Sequence, residues 1–324
     1  LEREASYGRS QFVLQFQLDT SLSDLQRFPL RLSDLVVMEV DDHAPEKIVW
    51  SQGAEYRIGD LPAVGFSGDY YHRPAFIHGE WLEFDGCVMF VDPSGKGMDE
   101  TAYAIVAQLN GNLFVLEVGS FREGYTEPVL EGLAQAAKRQ EVNLIILEDQ
   151  FGQGMLQSLL QPYLRRIYPC TVEPARSNVQ KERRIINALE PVMNQHRLIV
   201  NRSVIENDSK AKDEDSVETH LAYQLFHQLT HLTVDRNSLQ HDDRLDALAG
   251  AVEYWNDSLA IDEEIAMRER DMELLDLEIA AYNGEIVGAL DATILGIPLD
   301  ELPQAETEEG WIELQGFENQ SLGN

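Results

Sequence analysis

Cysteine is nearly absent from this chain. Cys87 and Cys170 are the only two among 324 residues. They have neither the close spacing of a zinc site nor the density of a secreted disulfide scaffold, so a reducing cytosol is expected. No run of about eighteen apolar residues occurs, and no charged segment leads into an apolar one near the start, so neither membrane spanning nor secretion is indicated. Positive charge is also scarce, with 25 Lys and Arg against 57 Asp and Glu and a net charge of −32. That balance argues at first against nucleic acid, whose affinity comes largely from cations neutralising phosphates. Half of the excess, however, lies in residues 256–324, where eighteen Asp and Glu face two Arg. The remainder is still acidic, so any DNA contact needs local basic patches together with bound divalent cations. Leu1 opens directly onto polar sequence, the expectation being a piece of something longer. No internal repeat is visible.

Residues 1–84 mix short apolar segments, such as Phe12-Val13-Leu14 and Leu35-Val36-Val37-Met38, with polar turns, and suggest no single architecture. From Cys87 the pattern becomes regular. Residues 87–91 read as a buried strand ending at Asp92, followed by a turn forced by Pro93, Gly95 and Gly97. Strands over 102–109 and 113–118 flank Asn110-Gly111-Asn112, a strong hairpin signal. Thr126 and Pro128 open a helix running to Glu141. Leu144-Ile145-Ile146-Leu147, apolar on both faces, is a central strand ending at Glu148. A helix from Gly154 to Leu164, a short strand near 170–172, a helix over 180–194, a strand at 198–200 and helices over 219–232 and 241–255 complete the reading. Ile261, Ile265, Arg268, Met272, Leu275 and Ile279 then repeat by four and three, giving an amphipathic helix with an arginine in its seam, and 303–324 is acidic and expected to be mobile.

Three acidic groups fall where elements meet one end of the expected sheet: Asp92, Glu148 and the Asp242-Asp243 pair. Taken singly, each has an ordinary explanation, as a turn initiator, a solvated strand end or a helix cap. Taken together, crowded carboxylates resist joint ionisation unless a cation lies between them. All-oxygen ligands favour hard ions such as Mg²⁺ or Mn²⁺. Two such ions about 4 Å apart would let one activate water while the other stabilises the leaving 3′ oxygen of a phosphodiester.

The order of three antiparallel strands, then helices alternating with parallel strands, is that of an α/β ribonuclease H-like mixed sheet flanked by helices, here with an acidic helical C-terminal extension. The segment from Phe90 to Thr101, then Leu147-Glu148-Asp149, then Lys181 through Arg184-Ile185, then His241 through Leu248, resembles the nuclease domain of phage large terminase subunits, nearest to those of short-tailed podophages. The resemblance spans residues 8–255, and Gly8-Arg9 and Phe12 onward look like the seam where a packaging ATPase ends. It implies residues 1–84 as a linker partly packed on the core, 85–255 as the nuclease domain and 256–324 as an acidic helix and tail. It further implies a two-metal endonuclease that cuts concatemeric viral DNA. Double-stranded DNA, the portal or procapsid and the small terminase subunit would be its partners, and the host cytoplasm rather than the mature virion its location. Asp92, Glu148, Asp242 and Asp243 become metal-binding carboxylates, with either or both of the pair coordinating. Asp99, Asp149 and Asp246 would lie close behind them, although taken alone each reads equally as a surface aspartate.

Arg176, Lys181, Arg183 and Arg184 form the dense basic cluster of the core. They suit phosphate contacts, or else a solvated face balanced by Glu182 and Glu190. His227 and His231 lie one helical turn apart but lack the metalloprotease Glu, so a packing pair is expected. Gly95-Lys96-Gly97 imitates a phosphate-binding loop, yet Lys96 is followed by Gly97 where Ser or Thr is required. A chain without an ATP motor is not expected to package DNA alone. Two other readings remain open: a junction-resolving nuclease of the same fold, or a docking module that meets packaging partners through its acidic tail.

Overall fold

The computed structural model of the chain describes residues 27–93, 100–148, 154–175, 179–210 and 217–282, in two units, Leu1–Leu259 and Ala260–Asn324. In chain order the elements are β1 (Val36–Met38), β2 (His43–Val49), β3 (Phe76–Glu83), β4 (Gly86–Asp92), β5 (Thr101–Leu109), β6 (Asn112–Phe121), α1 (Glu127–Arg139), β7 (Leu144–Glu148), α2 (Met155–Ile167), β8 (Thr171–Ala175), α3 (Lys181–Asn194), β9 (Leu198–Asn201), α4 (Arg202–Asp208), α5 (Val217–Ala222), α6 (Leu225–His231) and α7 (Asp243–Tyr282).

Seven strands form one sheet in the order β1-β9-β6-β5-β4-β7-β8, while β2 and β3 make a separate ribbon. Strands β4, β5 and β6 are antiparallel neighbours, and β7, β8, β9 and β1 join in parallel. This is the mixed sheet expected from the sequence. Asn110 and Gly111 turn the β5–β6 hairpin with φ of 51° and 75°, the left-handed pair a two-residue hairpin needs. Pro174 cannot donate to a ladder, and it sits on β8, an edge strand.

Alternation along the strands sorts the core into two layers. Val88, Phe90, Ala104, Val106, Val115 and Ile146 face one side with Ile185 and Leu189 of α3 and Leu245, Leu248 and Val252 of α7. Met89, Val91, Ile105, Phe114, Ile145 and Leu147 face the other with Leu133 and Ala137 of α1 and Leu160 of α2. Helix α7 approaches the sheet closely at Gly250, where an added Cβ would lie 2.5 Å from the Phe90 ring.

Two helices differ from expectation. The stretch 219–232 is broken at Tyr223-Gln224 into α5 and α6, because the Asp208 carboxylate accepts hydrogen bonds from Leu225 N at 2.9 Å and Phe226 N at 3.2 Å and so caps a new helix. The helices expected at 241–255 and 261–279 are one continuous α7. The residues between them, Asn256-Asp257-Ser258-Leu259-Ala260, include no glycine or proline to stop it. In the second unit Ile261, Met272 and Leu275 of that helix are exposed. Residues 303–324 and the Gly95-Lys96-Gly97 turn lie outside the described residues.

Candidate metal centre

Side-chain alternation carries the chemistry to one place. On β4 the residues facing the α3 and α7 layer are Val88, Phe90 and then Asp92; on β7 they are Ile146 and then Glu148. The parallel register pairs Val91 with Leu147, so Asp92 and Glu148 emerge side by side at the carboxyl ends of neighbouring strands. Helix α7 starts opposite them. Asp246 N donates to Asp242 O at 2.8 Å, and residues four apart share one face of a helix, so Asp242 and Asp246 both turn toward the strand ends. Asp243 is rotated away, and its Oδ2 accepts a hydrogen bond from Glu100 N at 3.2 Å.

Asp92, Glu148 and Asp246 each bring a carboxylate oxygen within 4.8 Å of the others, all three side chains being buried. At that separation two negative charges repel by roughly 3 kcal/mol in a partly screened interior. Helix α3 supplies partial compensation. Lys181 Nζ lies 3.6 Å from Asp92 Oδ2, 2.9 Å from Asp242 Oδ1 and 3.0 Å from Asp246 Oδ2. One turn on, Arg184 donates from Nη1 to Glu148 Oε1 at 3.1 Å and from Nη2 to Asp246. Among the described residues, four carboxylates therefore surround two cations. Burial pushes the Asp92 carboxyl well above its usual range; Lys181 opposes this, while Asp246 and Glu148 add to it. Burial likewise raises Asp246 against the pull of Lys181 and Arg184. For Lys181 burial alone would lower the ammonium, but Asp246, Asp92 and Asp242 outweigh it and hold it above its ordinary value. An all-oxygen donor set of crowded carboxylates fits hard divalent cations.

The residues singled out in the sequence thus fall into distinct places. Asp92 and Glu148 converge with Asp246, and Asp242 adjoins them through Lys181. Asp243 holds the Glu100 backbone. Lys181 and Arg184 face carboxylates, whereas Arg183 on the same helix is exposed. Asp99, Asp149 and Arg176 lie outside the described residues. His227 and His231 stack on each other at 4.0 Å and are not in the one group of three possible ligands among the described residues. Sequence reasoning missed the partners of Arg244, which donates from Nε to the buried Glu100 Oε2 at 3.0 Å and from Nη1 to Asp208 Oδ1 at 3.2 Å. The four-residue spacing of Asp242 and Asp246 was the signal that places Asp246 beside the strand ends.

A mixed sheet in this strand order, with carboxylates gathered where its central parallel strands end, defines a ribonuclease H-like domain. Residues 91–198 match the family described as "Terminase Bacteriophage T7, Ribonuclease H-like domain", and the chain is 36% identical over 262 residues to the large terminase subunit of Enterobacteria phage T3. The chain belongs to the phage large terminase subunit family and carries its ribonuclease H-like domain. The match covers 81% of this chain and 45% of the T3 protein, so the chain spans about half the length of that relative. Among solved structures, the human cytomegalovirus terminase nuclease domain, Mn soaked and inhibitor bound, is 13% identical with a TM-score of 0.41 over 55% of this chain and 86% of that one. The large terminase nuclease of thermophilic phage G20c is 11% identical with a TM-score of 0.37 over 68% and 94%. No helix of the described residues is long and apolar enough to cross a membrane.

Proposed function

We propose that this chain hydrolyses phosphodiesters of double-stranded DNA at a divalent-metal centre, and that it does so in cutting concatemeric viral DNA during packaging. The observation that carries the reading is the meeting of Asp92, Glu148 and Asp246, from two strands and a helix, with oxygens within 4.8 Å. When bound there, two Mg²⁺ or Mn²⁺ ions would supply an activated water and stabilise the departing 3′ oxygen. Asp92, Glu148 and Asp246 would hold the ions, and Asp242, 2.9 Å from Lys181 Nζ, would join them. Arg184 fixes two of these carboxylates by donating to Glu148 and Asp246 at once, which sets their spacing before substrate arrives. Lys181 contacts the oxygens a cation would use and would have to give way to it. Arg183, exposed on the same helix, is left to meet the DNA backbone.

The fold's relation to terminases supports the packaging context, with the portal or procapsid and the small terminase subunit as partners and the host cytoplasm as the place of action. The test is nicking of supercoiled plasmid in Mg²⁺ or Mn²⁺. Asp92→Asn is expected to lower the rate by about 10³-fold, since metal-borne charge stabilisation is worth several kcal/mol, while circular dichroism stays unchanged. Undiminished nicking removes Asp92 from the chemistry and the proposal with it.

A further inference from the structure

Asp242 immediately precedes α7, and its carbonyl accepts the first helical hydrogen bond, from Asp246 N at 2.8 Å. It therefore occupies the N-cap position. An aspartate there ordinarily folds its carboxylate back onto the backbone N–H two or three residues on, because the first N–H groups of a helix have no partner within it. In this chain the N–H three residues on, Leu245 N, donates instead to Gln228 Oε1 of α6 at 3.1 Å. The Asp242 carboxylate is turned to the carboxylate group, with Oδ1 2.9 Å from Lys181 Nζ. That same Nζ lies 3.0 Å from Asp246 Oδ2 and 3.6 Å from Asp92 Oδ2.

Gln228 is 1% exposed and held at both ends of its amide. Nε2 donates to Ala222 O at 3.2 Å while Oε1 accepts from Leu245 N, so only one orientation of the amide satisfies both partners. The break between α5 and α6 creates this arrangement. In a continuous helix Ala222 O would accept from Phe226 N, four residues on. The Asp208 carboxylate takes Phe226 N at 3.2 Å and Leu225 N at 2.9 Å, which leaves Ala222 O to Gln228. The same junction holds the start of α7 in two more places. Tyr223, at the break, stacks on His241 at 4.0 Å with the rings 20° apart, and Asp208 Oδ1 accepts from Arg244 Nη1 at 3.2 Å. His241, Arg244 and Leu245 are thus tied to the α5–α6 junction, whereas Asp242 and Asp246, four residues apart, turn to the strand ends.

We propose that Gln228 is a positioning residue: by capping Leu245 N in place of Asp242, it keeps the Asp242 carboxylate turned toward the candidate metal centre and open to a divalent cation. The inference rests on the divalent-metal reading above. It is tested by calorimetric titration with Mn²⁺ of the parent, Gln228→Met, Asp242→Asn and the double variant, with circular dichroism to check that each is folded. Gln228→Met removes the acceptor at nearly constant size and is expected to raise the Mn²⁺ Kd about tenfold, the scale on which partners of metal ligands act. Asp242→Asn is expected to raise Kd at least as much. Adding Gln228→Met to it is expected to raise Kd by less than about twofold more, because the effect runs through Asp242. Gln228→Glu, which keeps an oxygen for Leu245 N at a helix N-terminus, is expected to stay within about twofold of the parent. Gln228→Leu replaces Gln228→Met, with the same limits, should the latter not fold. A Gln228→Met effect below about twofold overturns the assignment, as does one that multiplies in full on top of Asp242→Asn. A Gln228→Glu variant as weak as Gln228→Met also overturns it. Failure of the metal reading looks different: Mn²⁺ affinity and plasmid nicking both indifferent to Asp92→Asn, whatever Gln228 and Asp242 do.

Discussion

Two buried charge networks lie close together in this domain, and they are built differently. At the candidate metal centre Asp92, Glu148, Asp242 and Asp246 share two cations, Lys181 and Arg184. In the neighbouring network Glu100 and Asp208 share two cations, Arg122 and Arg244, with Arg244 also donating to Ser120 Oγ at 2.9 Å. Among the described residues the second set pairs two carboxylates with two arginines and ties the start of β5 to β6, α4 and α7, whereas the first gathers four carboxylates around two cations. Burying charge is tolerated when it is paired, so an unbalanced set marks where an external cation belongs and a balanced set marks structure.

The sharpest break in this comparison is Glu100→Gln. Arg122 and Arg244 both lose the Glu100 carboxylate, whose side chain is fully buried, while Arg244 keeps Asp208. Breaking a buried pair costs about 3–5 kcal/mol, roughly 10 °C in Tm. Asp92→Asn, which relieves like-charge crowding, should leave the metal-free Tm unchanged or higher; thermal melts of the two variants side by side check the opposite signs. Next in size is Gly250→Ala. Its Cβ would meet Phe90 at 2.5 Å and push α7, with Asp246, away from Asp92. A loss of about 1–3 kcal/mol together with weaker Mn²⁺ binding is expected, and denaturant melts with metal titration measure both.

The smallest effect concerns Glu117 at the sheet's far layer, where burial would raise its carboxyl but hydrogen bonds from Arg139, Gln140 and Tyr103 hold it below the ordinary range. A lowered acid contributes stability that is present above its unfolded pKa and is lost as pH falls through the folded value. Glu117→Gln should therefore flatten the acid side of the stability profile by about 1 kcal/mol or less, read from melts between pH 6 and about pH 3.

Much of the fold could be read from local pattern. The strands from Cys87 to Leu147 announce themselves by alternation and by the Asn110-Gly111 turn, and Asp92 and Glu148 follow from strands that end in acids. What was hidden depends on distant partners. β1 has only three residues and pairs in parallel with β9, more than 160 residues away, so nothing local in Val36-Val37-Met38 marks it as a sheet edge. The ribbon of β2 and β3 joins segments separated by a long connection, and β3 is exposed along its whole length, so no apolar face betrays it. Asp246 and Asp243 are indistinguishable in composition; helical phase alone sends one to the strand ends and the other to Glu100. Lys181 and Arg184 read as a surface patch, because their burial against carboxylates arises only once α3 crosses the ends of β4 and β7.

The most direct test of the account is the anomalous scattering of crystals soaked in Mn²⁺. The account predicts manganese bound between Asp92, Glu148 and Asp246, with Lys181 Nζ displaced from at least one of their oxygens, at concentrations that support plasmid nicking. Active enzyme with no manganese among these three carboxylates, or with it held elsewhere, would contradict it.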